Sequence, residues 1–167
     1  MRIGFGFDAH PLVTGRPLVL AGVTVPFELG LDGYSDGDVV AHALIDALLG
    51  AAALGDCGTH FPAGDPRFKG ADSVELVRQA VALVKAERFV IGNVDCTVVA
   101  EQPALAPFVA QMRSNLAGAL GVKLDCVSVK AKRTEGLGFE GEGRGVAAYA
   151  IANILTKSDA ASAEAHA

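Results

Sequence analysis

The chain of 167 residues contains no Trp and only two Met, and aromatic residues make up 6% of it. Its hydrophobic residues, 51% of the total, are mostly Ala, Val and Leu, which indicates a globular protein with a closely packed core of small side chains. No apolar run approaches the ~20 residues that a membrane span requires, and the N-terminus lacks a secretory signal pattern. We therefore expect one cytoplasmic domain, long enough to bury most of its apolar surface.

Cysteine and positive charge are also scarce. Cys57, Cys96 and Cys126 are odd in number and show no CxxC spacing, which favours free thiols in a reducing compartment over a disulfide framework. Fourteen Lys and Arg oppose 19 Asp and Glu, for a net charge of −5. This balance argues against general nucleic-acid binding. A small anionic substrate is still compatible with it, because the basic residues are locally concentrated late in the chain.

An Asp-x-His pair ends the apolar segment at the N-terminus. In an extended strand, residues i and i+2 point to one face, so Asp8 and His10 can bind a single ion. His42, early in a predicted helix, is the best candidate for a third ligand, although a polar helix face can also be simply solvated. Two imidazoles and a carboxylate suit zinc and leave one position open for a substrate oxygen. Asp38 and Asp46, one turn before and after His42, are candidates to orient its ring.

Hydrophobic periodicity and turn residues give the order of elements. They predict strands at residues 1–9, 17–26, 89–101 and 126–134, and helices at 38–54, 72–86, 107–121 and 146–154. Asp72 is predicted to be the N-cap of the second helix. The loop at 27–37 leads to the metal candidates, and the loop at 55–71 is interpreted as a lid or substrate loop. We interpret His60, within that second loop, as a surface residue.

No internal repeat or domain linker is present, so the sequence predicts an α+β protein with one mixed sheet and helices packed on one of its faces. The other face still needs cover. Apolar residues of the strands, together with Phe7 and Phe139, suggest that this face is buried between subunits of a homo-oligomer. In the strand at 126–134, Lys130 and Lys132 project to the same side, as a phosphate-binding face or equally as a solvated edge.

Several longer motifs occur in one register along the chain. They are Arg-Ile-Gly-x-Gly-Phe-Asp-x-His at 2–10, Ser-Asp-Gly-Asp-Val at 35–39, His-Ala-x-x-Asp-Ala-Leu-Leu-Gly-Ala-Ala at 42–52, Phe-Pro-x-x-Asp-Pro at 61–66, Lys-Gly-Ala-Asp-Ser at 69–73, and Thr-Glu-x-Leu-Gly-Phe at 134–139. With this ordered set the chain resembles the 2-C-methyl-D-erythritol 2,4-cyclodiphosphate synthase family over one domain, residues 1–157. The remaining residues, 158–167, are expected to form a disordered tail.

The resemblance implies a homotrimer with active sites at subunit interfaces, in which sheets of a ferredoxin-like variant face the centre. It also implies a metal-dependent phosphorus–oxygen lyase of the non-mevalonate isoprenoid route. The substrate would be 4-diphosphocytidyl-2-C-methyl-D-erythritol 2-phosphate, whose 2-phosphate attacks its own β-phosphorus and expels CMP. Two alternatives stay open: a zinc-dependent phosphohydrolase, and a trimeric isoprenoid-binding module with a structural zinc.

The same resemblance implies roles for individual residues. One zinc ion per subunit would be bound by Asp8, His10 and His42, and Glu135 would bind Mg²⁺ or Mn²⁺. The catalytic residues implied are Asp8, His42, Lys132, Arg133, Thr134 and Glu135. The substrate-binding residues implied are Asp8, His10, Tyr34, Ser35, Asp56, Cys57, Gly58, Phe61, Asp65, Ala100, Pro103, Ala104, Leu105, Lys132, Arg133, Thr134 and Phe139. Within this set, Ser35 would hold phosphate oxygens and the segment 100–105 would form the cytosine pocket of the adjacent subunit.

Some positions depart from the pattern of the family. Tyr34 stands where His is common, Ala63 and Gly64 replace Asp and Thr, Ala104 replaces a frequent Lys, and Arg133 stands where Thr is common. Since position 63 has no carboxylate in this chain, a substrate contact from that position is either lost or made by Asp65 in its place.

Two further positions bear on a cavity at the centre of the trimer. Glu142 and Arg144 reverse the usual order of Arg then Glu. The reversal replaces the cation at position 142 that would face an anion in the cavity. It therefore predicts weak or absent binding of an isoprenoid diphosphate there.

Overall fold

The described part of the chain, residues 1–159 of this computed structural model, contains both strands and helices. Its strands are β1 (Arg2–Thr14), β2 (Leu18–Leu20), β3 (Val23–Val25), β4 (Leu29–Leu31), β5 (Phe89–Val99), β6 (Val127–Lys132) and β7 (Gly145–Thr156). Its helices are α1 (Val39–Ala52), α2 (Cys57–His60), α3 (Ser73–Ala86), α4 (Val109–Leu120) and α5 (Gly138–Gly141). None of the helices within these residues is long and apolar enough to cross a membrane. Most of the predicted tail, from position 160 onward, lies outside the described residues.

Five strands form one sheet in the order β4-β1-β7-β5-β6. The pairs β4–β1, β1–β7 and β7–β5 are antiparallel, whereas β5 and β6 are parallel. The predicted mixed sheet of an α+β protein is therefore confirmed. It is not the single sheet expected, because β2 and β3 pair only with each other, as a separate two-stranded hairpin.

The prediction of a helix at 146–154 is wrong, since this segment is strand β7. It is the central strand of the large sheet, hydrogen-bonded to β1 on one side and to β5 on the other. Buried residues alternate there with exposed ones, as at Ala148, Tyr149, Ala150 and Ile151. Alanine favours helices by its intrinsic propensity. The segment nevertheless forms a strand, because it pairs with β1 on one side and β5 on the other and because its buried residues recur every second position.

The hairpin explains why residues 17–26 are not one strand. Ala21 and Gly22 both adopt positive φ, 48° and 70°, which turns the chain back after Leu20. Turns of this kind match the right-handed twist of the strands that they join. The predicted loop at 27–37 likewise contains β4, and the predicted loop at 55–71 contains the short helix α2.

Helix α1 lies against β1 and β7, and most of its residues are buried. Helix α3 begins as predicted, with the Asp72 carboxylate accepting the backbone N–H of Val74 at 2.8 Å. Strand β1 is longer than predicted and includes both Asp8 and His10. The two side chains therefore lie on the same side of the strand as Gly4 and Gly6, which is the side that faces α1.

On the opposite face of the sheet, part of the area over β1 and β7 is apolar and exposed. Its members come from alternate positions of β1 and from the neighbouring positions of β7. They are Ile3, Phe5, Phe7, Tyr149 and Ile151, with exposed fractions of 65, 64, 45, 38 and 47%. An exposed group of large apolar side chains of this kind is typical of a surface that contacts another protein chain. We call it the apolar sheet face below.

Candidate metal centre

Three side chains converge where the middle of β1 meets the first turn of α1. The Asp8 Oδ2 atom lies 2.9 Å from Nδ1 of His42 and 3.1 Å from Nε2 of His10. The two ring nitrogens are 3.3 Å apart. All three side chains are partly buried but still reach the surface of a cleft. The strand thus supplies one carboxylate and one imidazole, and the helix supplies the second imidazole.

This arrangement fits a divalent metal ion. Zinc bonds of about 2.0–2.1 Å at tetrahedral angles place ligand atoms roughly 3.3 Å apart, close to the separations of these three donor atoms. One carboxylate and two imidazoles are the ligand types that zinc accepts. Among residues 1–159, this is the one group of three such side chains whose donor atoms lie within 4.8 Å of one another. The predicted ligands are therefore brought together, while the identity of the metal stays a proposal.

The charges of the group support one another. Burial would raise the pKa of Asp8, but the hydrogen bonds from His10 and His42 lower it well below its usual range. Burial would likewise lower the pKa of His42, yet the hydrogen bond and charge of Asp8 outweigh it and raise that pKa above its ordinary value. The carboxylate is thus ionised at neutral pH, as a metal ligand must be.

A second layer lies behind the His42 ring, and most of it was missed by sequence reasoning. The ring atom Nε2 is 3.0 Å from the hydroxyl of Ser35 and 3.0 Å from that of Ser73. The Ser73 hydroxyl in turn donates to Asp36 Oδ1 at 2.5 Å, and the Ser73 backbone N–H donates to Asp36 Oδ2 at 3.0 Å. Ser73 is fully buried. In the sequence, Ser73 only follows an N-cap and ends the motif at 69–73, and neither of these signals predicts a contact with His42.

The prediction that Asp38 or Asp46 orients the ring of His42 by a hydrogen bond is not supported. Asp38 is fully buried, and its carboxylate accepts backbone N–H groups of the β2–β3 turn and of α1. Asp46 Oδ1 accepts the backbone N–H of Cys57 at 2.7 Å. Both carboxylates therefore hold the framework of the site together.

The metal candidates Asp8, His10 and His42 line a cleft of about 200 Å³, which we call the metal cleft. Its other lining residues are Tyr34, Ser35, Asp46, Cys57, Gly58, Phe61, Ala63, Phe68 and Leu76. Residues from both predicted loops, 27–37 and 55–71, thus contribute to it. The cleft combines a polar end at the metal candidates with an apolar wall, a combination typical of small-molecule sites.

A second cleft, of about 190 Å³, lies at the carboxyl ends of β5 and β6. It is lined by Ala100, Pro103, Ala104, Leu105, Ala106, Ala131, Lys132 and Arg133. The structure therefore brings the segment expected to bind cytosine together with two of the predicted phosphate-binding residues. We call it the cationic cleft, because Lys132 and Arg133 lie at its edge.

The remaining candidates lie outside these two clefts. The Asp56 side chain caps α2 by accepting the backbone N–H of Thr59 at 2.8 Å, and Asp65 forms an ion pair with Arg67 at 2.6 Å. The chain turns at Glu135, which has a positive φ of 54° and an exposed side chain.

Two neighbours of that turn are placed differently. The Thr134 hydroxyl donates to the Leu137 carbonyl at 2.5 Å. Phe139 lines a separate hollow next to His10.

His60 and the cysteines are placed much as the sequence indicated. His60 is partly buried and not fully at the surface, because its Nε2 atom contacts the Leu54 carbonyl at 2.8 Å. It is not one of the converging donors. Cys57, Cys96 and Cys126 are free thiols. Burial raises the pKa of Cys57 to about 12, which leaves it a neutral thiol at the edge of the metal cleft.

The fold and the two clefts define an α+β protein with a candidate Asp-His-His metal site and a separate cationic cleft, an arrangement that suits an enzyme acting on phosphate esters. The chain belongs to the YgbB family, whose sequence model matches residues 1–155.

Individual relatives carry the name of the resembled family. A 2-C-methyl-D-erythritol 2,4-cyclodiphosphate synthase of Laribacter hongkongensis is 59% identical and covers 94% of this chain and 97% of its own. The enzyme of that name from Geobacter metallireducens is 58% identical over 90% of this chain and 96% of its own. A solved structure of such a synthase in its CDP-bound form matches with a TM-score of 0.85 and 36% identity, over 92% of this chain and 100% of the other.

Proposed function

We propose that the protein converts 4-diphosphocytidyl-2-C-methyl-D-erythritol 2-phosphate into 2-C-methyl-D-erythritol 2,4-cyclodiphosphate and CMP. An oxygen of the 2-phosphate forms a bond to the β-phosphorus. The bond from the β-phosphorus to the oxygen that bridges it to the α-phosphorus breaks, and that oxygen leaves with CMP. The observation that carries the proposal is the convergence of Asp8, His10 and His42 in a chain 59% identical to a synthase of that name.

The chemistry needs no nucleophile from the protein, because the attacking oxygen belongs to the substrate. It needs alignment of two phosphates and neutralisation of their charge, which are the main contributions to phosphoryl transfer. Zinc, held by Asp8, His10 and His42, would polarise a phosphate oxygen as a Lewis acid when bound. The Ser35 residue lines the same cleft, where its hydroxyl would contact a phosphate oxygen.

The cationic cleft would bind the cytidine end of the substrate. Its floor of small apolar residues, including Ala100 and Ala104, suits the flat face of a base, and Lys132 and Arg133 suit the diphosphate. Glu135, three residues beyond Lys132, would bind a second divalent ion, Mg²⁺ or Mn²⁺. Such ions are commonly held by one carboxylate together with substrate phosphates, which agrees with an exposed side chain at this position.

The other substrate contacts remain proposals as well. Cys57, Gly58 and Phe61 line the metal cleft, where they would contact the methylerythritol unit. Asp56 precedes them directly in the chain and is exposed, so it is accessible to the diol. Asp65 is a weaker candidate, because Arg67 already neutralises it.

We further propose a homotrimer of one-domain subunits, residues 1–157, with sheets of a ferredoxin-like variant facing its centre. The apolar sheet face supports burial against copies of the same chain. The metal cleft and the cationic cleft share no lining residue, which agrees with an active site assembled at a subunit interface. The protein would act in the cytoplasm.

The function is tested by incubating the purified protein with the cytidyl substrate, Mg²⁺ and Zn²⁺, and following the products by phosphorus NMR. We expect CMP and the cyclic diphosphate in equal amounts. A matched control is the same substrate without its 2-phosphate, from which no CMP should form because the nucleophile is missing. A phosphohydrolase would use water instead, so free phosphate, or CMP from the control substrate, would contradict the proposal.

A further inference from the structure

The three side chains behind His42, those of Ser35, Asp36 and Ser73, form a hydrogen-bond network whose protons can be assigned. Asp36 accepts from the Ser73 hydroxyl at 2.5 Å and from the Ser73 backbone N–H at 3.0 Å. A carboxylate can only accept, so the hydroxyl proton of Ser73 is directed to Asp36. The Ser73 oxygen can therefore only accept from its other neighbours, His42 at 3.0 Å and Ser35 at 3.2 Å.

This assignment decides which ring nitrogen of His42 carries its proton. The Nδ1 atom faces Asp8 and His10, and it can bind a metal only through an unprotonated lone pair. The proton of the neutral ring must then be on Nε2, which needs an acceptor. Ser73 is such an acceptor, and Asp36 prevents it from acting as a donor to the ring.

Ser35 alone would not impose the same state. Its hydroxyl also lies 3.0 Å from Nε2 of His42, but nothing in the described contacts fixes its proton, so it can either accept from Nε2 or donate to it. Donation would stabilise the tautomer with the proton on Nδ1, which is unable to bind a metal. When Ser73 instead accepts the hydrogen bond from the Nε2–H group of His42, the Ser35 hydroxyl is free to donate a hydrogen bond into the cleft that it lines.

We propose that Ser73, held by Asp36, is a positioning residue that keeps the His42 proton on Nε2 and its Nδ1 lone pair directed to the metal centre. The inference rests on the proposed function only in that the centre binds a divalent metal. Outer-layer partners of metal-binding histidines commonly contribute ten- to a hundredfold in metal affinity. Ser73 sits at the start of α3 and far from the ligands in sequence, so the helix start and the metal centre are linked through it.

The test is the zinc affinity of the metal-stripped full-length protein, measured by competition with a chromophoric chelator. We expect Ser73→Ala to weaken zinc binding by about tenfold or more. In zinc-loaded wild-type protein, ¹H–¹⁵N spectra should show a downfield, slowly exchanging Nε2–H signal of His42, because Ser73 accepts its hydrogen bond; in Ser73→Ala that signal should move upfield and exchange faster with water. The His42 signals are identified by their loss in His42→Asn.

The matched control is Asp72→Ala, which removes the exposed N-cap of the same helix but touches no group of the site. It should leave zinc affinity unchanged. If it weakens binding as much as Ser73→Ala does, the helix start matters and the network does not, and the inference fails. It also fails if Ser73→Ala binds zinc as wild type does and leaves the position and exchange rate of the His42 Nε2–H signal unchanged.

Two additional variants complete the design. If Ser73→Ala does not fold, as judged by circular dichroism, Asp36→Asn replaces it in the test. An amide at position 36 no longer forces the Ser73 hydroxyl proton away from the His42 ring. Unchanged zinc affinity in Asp36→Asn would overturn the inference. Asp8→Ala tests the centre itself. If wild type binds no zinc, or Asp8→Ala binds it equally well, both the metal centre and the inference are contradicted. If Asp8→Ala loses zinc but Ser73→Ala does not, only the role of Ser73 is contradicted.

Discussion

Gly6 of β1 lies so close to Ala43 of α1 that a β-carbon on Gly6 would be 1.9 Å from the Ala43 carbonyl oxygen. The contact sets the distance between the strand that carries Asp8 and His10 and the helix that carries His42. A side chain at position 6 would have to displace the backbone of α1 from that of β1, because no flexible side chain is available to move aside.

We therefore expect Gly6→Ala to lower the free energy of unfolding by about 3 kcal/mol or more and to weaken zinc binding by separating the ligands. Gly50→Ala is the matched control, since a β-carbon there meets nothing within 4 Å and the residue is exposed near the end of the same helix. The control should be neutral or slightly stabilising. Urea unfolding at equal protein concentration measures both, and equal effects of the two substitutions would contradict the interpretation.

Among the polar side chains around the site in residues 1–159, we expect the Asp38 carboxylate to contribute most to the free energy of unfolding. It accepts the N–H groups of Val40 and Ala41 at 3.1 Å each, of Ala21 at 2.9 Å and of Gly22 at 2.8 Å. Asp38→Asn replaces one acceptor oxygen by a donor, so that even in its better orientation the amide leaves the Gly22 N–H without an acceptor and facing another N–H group. This should cost about 2–3 kcal/mol of unfolding free energy.

Asp72→Asn is the control for that substitution, because Asp72 caps a helix in the same way but is exposed. Asn and Asp are similar N-caps, so the control should change stability by less than about 0.5 kcal/mol. Thermal unfolding at several protein concentrations gives the difference. A loss in Asp38→Asn no larger than in the control would show that Asp38 acts only as an N-cap.

Removing one metal ligand should separate catalysis from assembly. We expect Asp8→Ala to lose bound zinc and turnover while keeping the oligomeric state of wild type, because Asp8 lies in a cleft and not on the apolar sheet face. Metal analysis, the product assay and light scattering check the three properties. Normal turnover in this variant would remove Asp8 from the mechanism.

Mixing two inactive variants tests whether the active site spans a subunit interface. Asp8→Ala lacks a working metal cleft, and Lys132→Ala lacks a cation of the cationic cleft. After joint unfolding and refolding, a mixed trimer should recover part of the activity, since some of its sites combine one intact cleft from each variant. Recovery no greater than the sum of the separate variants would place each site within one chain.

The apolar sheet face should hold the subunits together. Phe5 is 64% exposed there, and a charge at this position would have to be buried in the assembly. We expect Phe5→Glu to give monomers by light scattering at micromolar concentration. Leu124→Glu, at a residue 49% exposed but outside β1 and β7, should leave the assembly intact. An unchanged oligomer in Phe5→Glu would reject this face as the interface.

The order of Glu142 and Arg144 predicts weak or no binding of an isoprenoid diphosphate at the trimer centre. The Arg144 guanidinium donates to Glu142 at 2.6 Å, so its charge is already neutralised, and both side chains are exposed. A calorimetric titration with geranyl diphosphate should show no tight binding. Tight binding that is lost in Glu142→Ala would contradict this prediction.

The sequence predicted what depends on local pattern. Asp8 and His10 share a face because side chains alternate along any strand, and the period of small apolar residues made 38–54 a helix that carries His42. The ordered motifs then indicated the family. The strand at 145–156 was missed for the same reason, because its Ala-rich composition favours a helix locally and only pairing with two neighbouring strands overrides that preference.

The sequence by itself thus determined the three candidate metal ligands and the elements that carry them. Only the tertiary structure decided what surrounds them. Ser73 reaches the His42 ring across 31 positions of the chain, and Asp36 reaches Ser73 across 37. Contacts between residues so far apart depend on how helix α3 packs beside α1, which no local pattern encodes. The candidate ligands come from two short segments of the chain. The position of the His42 proton, which leaves Nδ1 able to bind a metal, depends instead on contacts made by the whole fold.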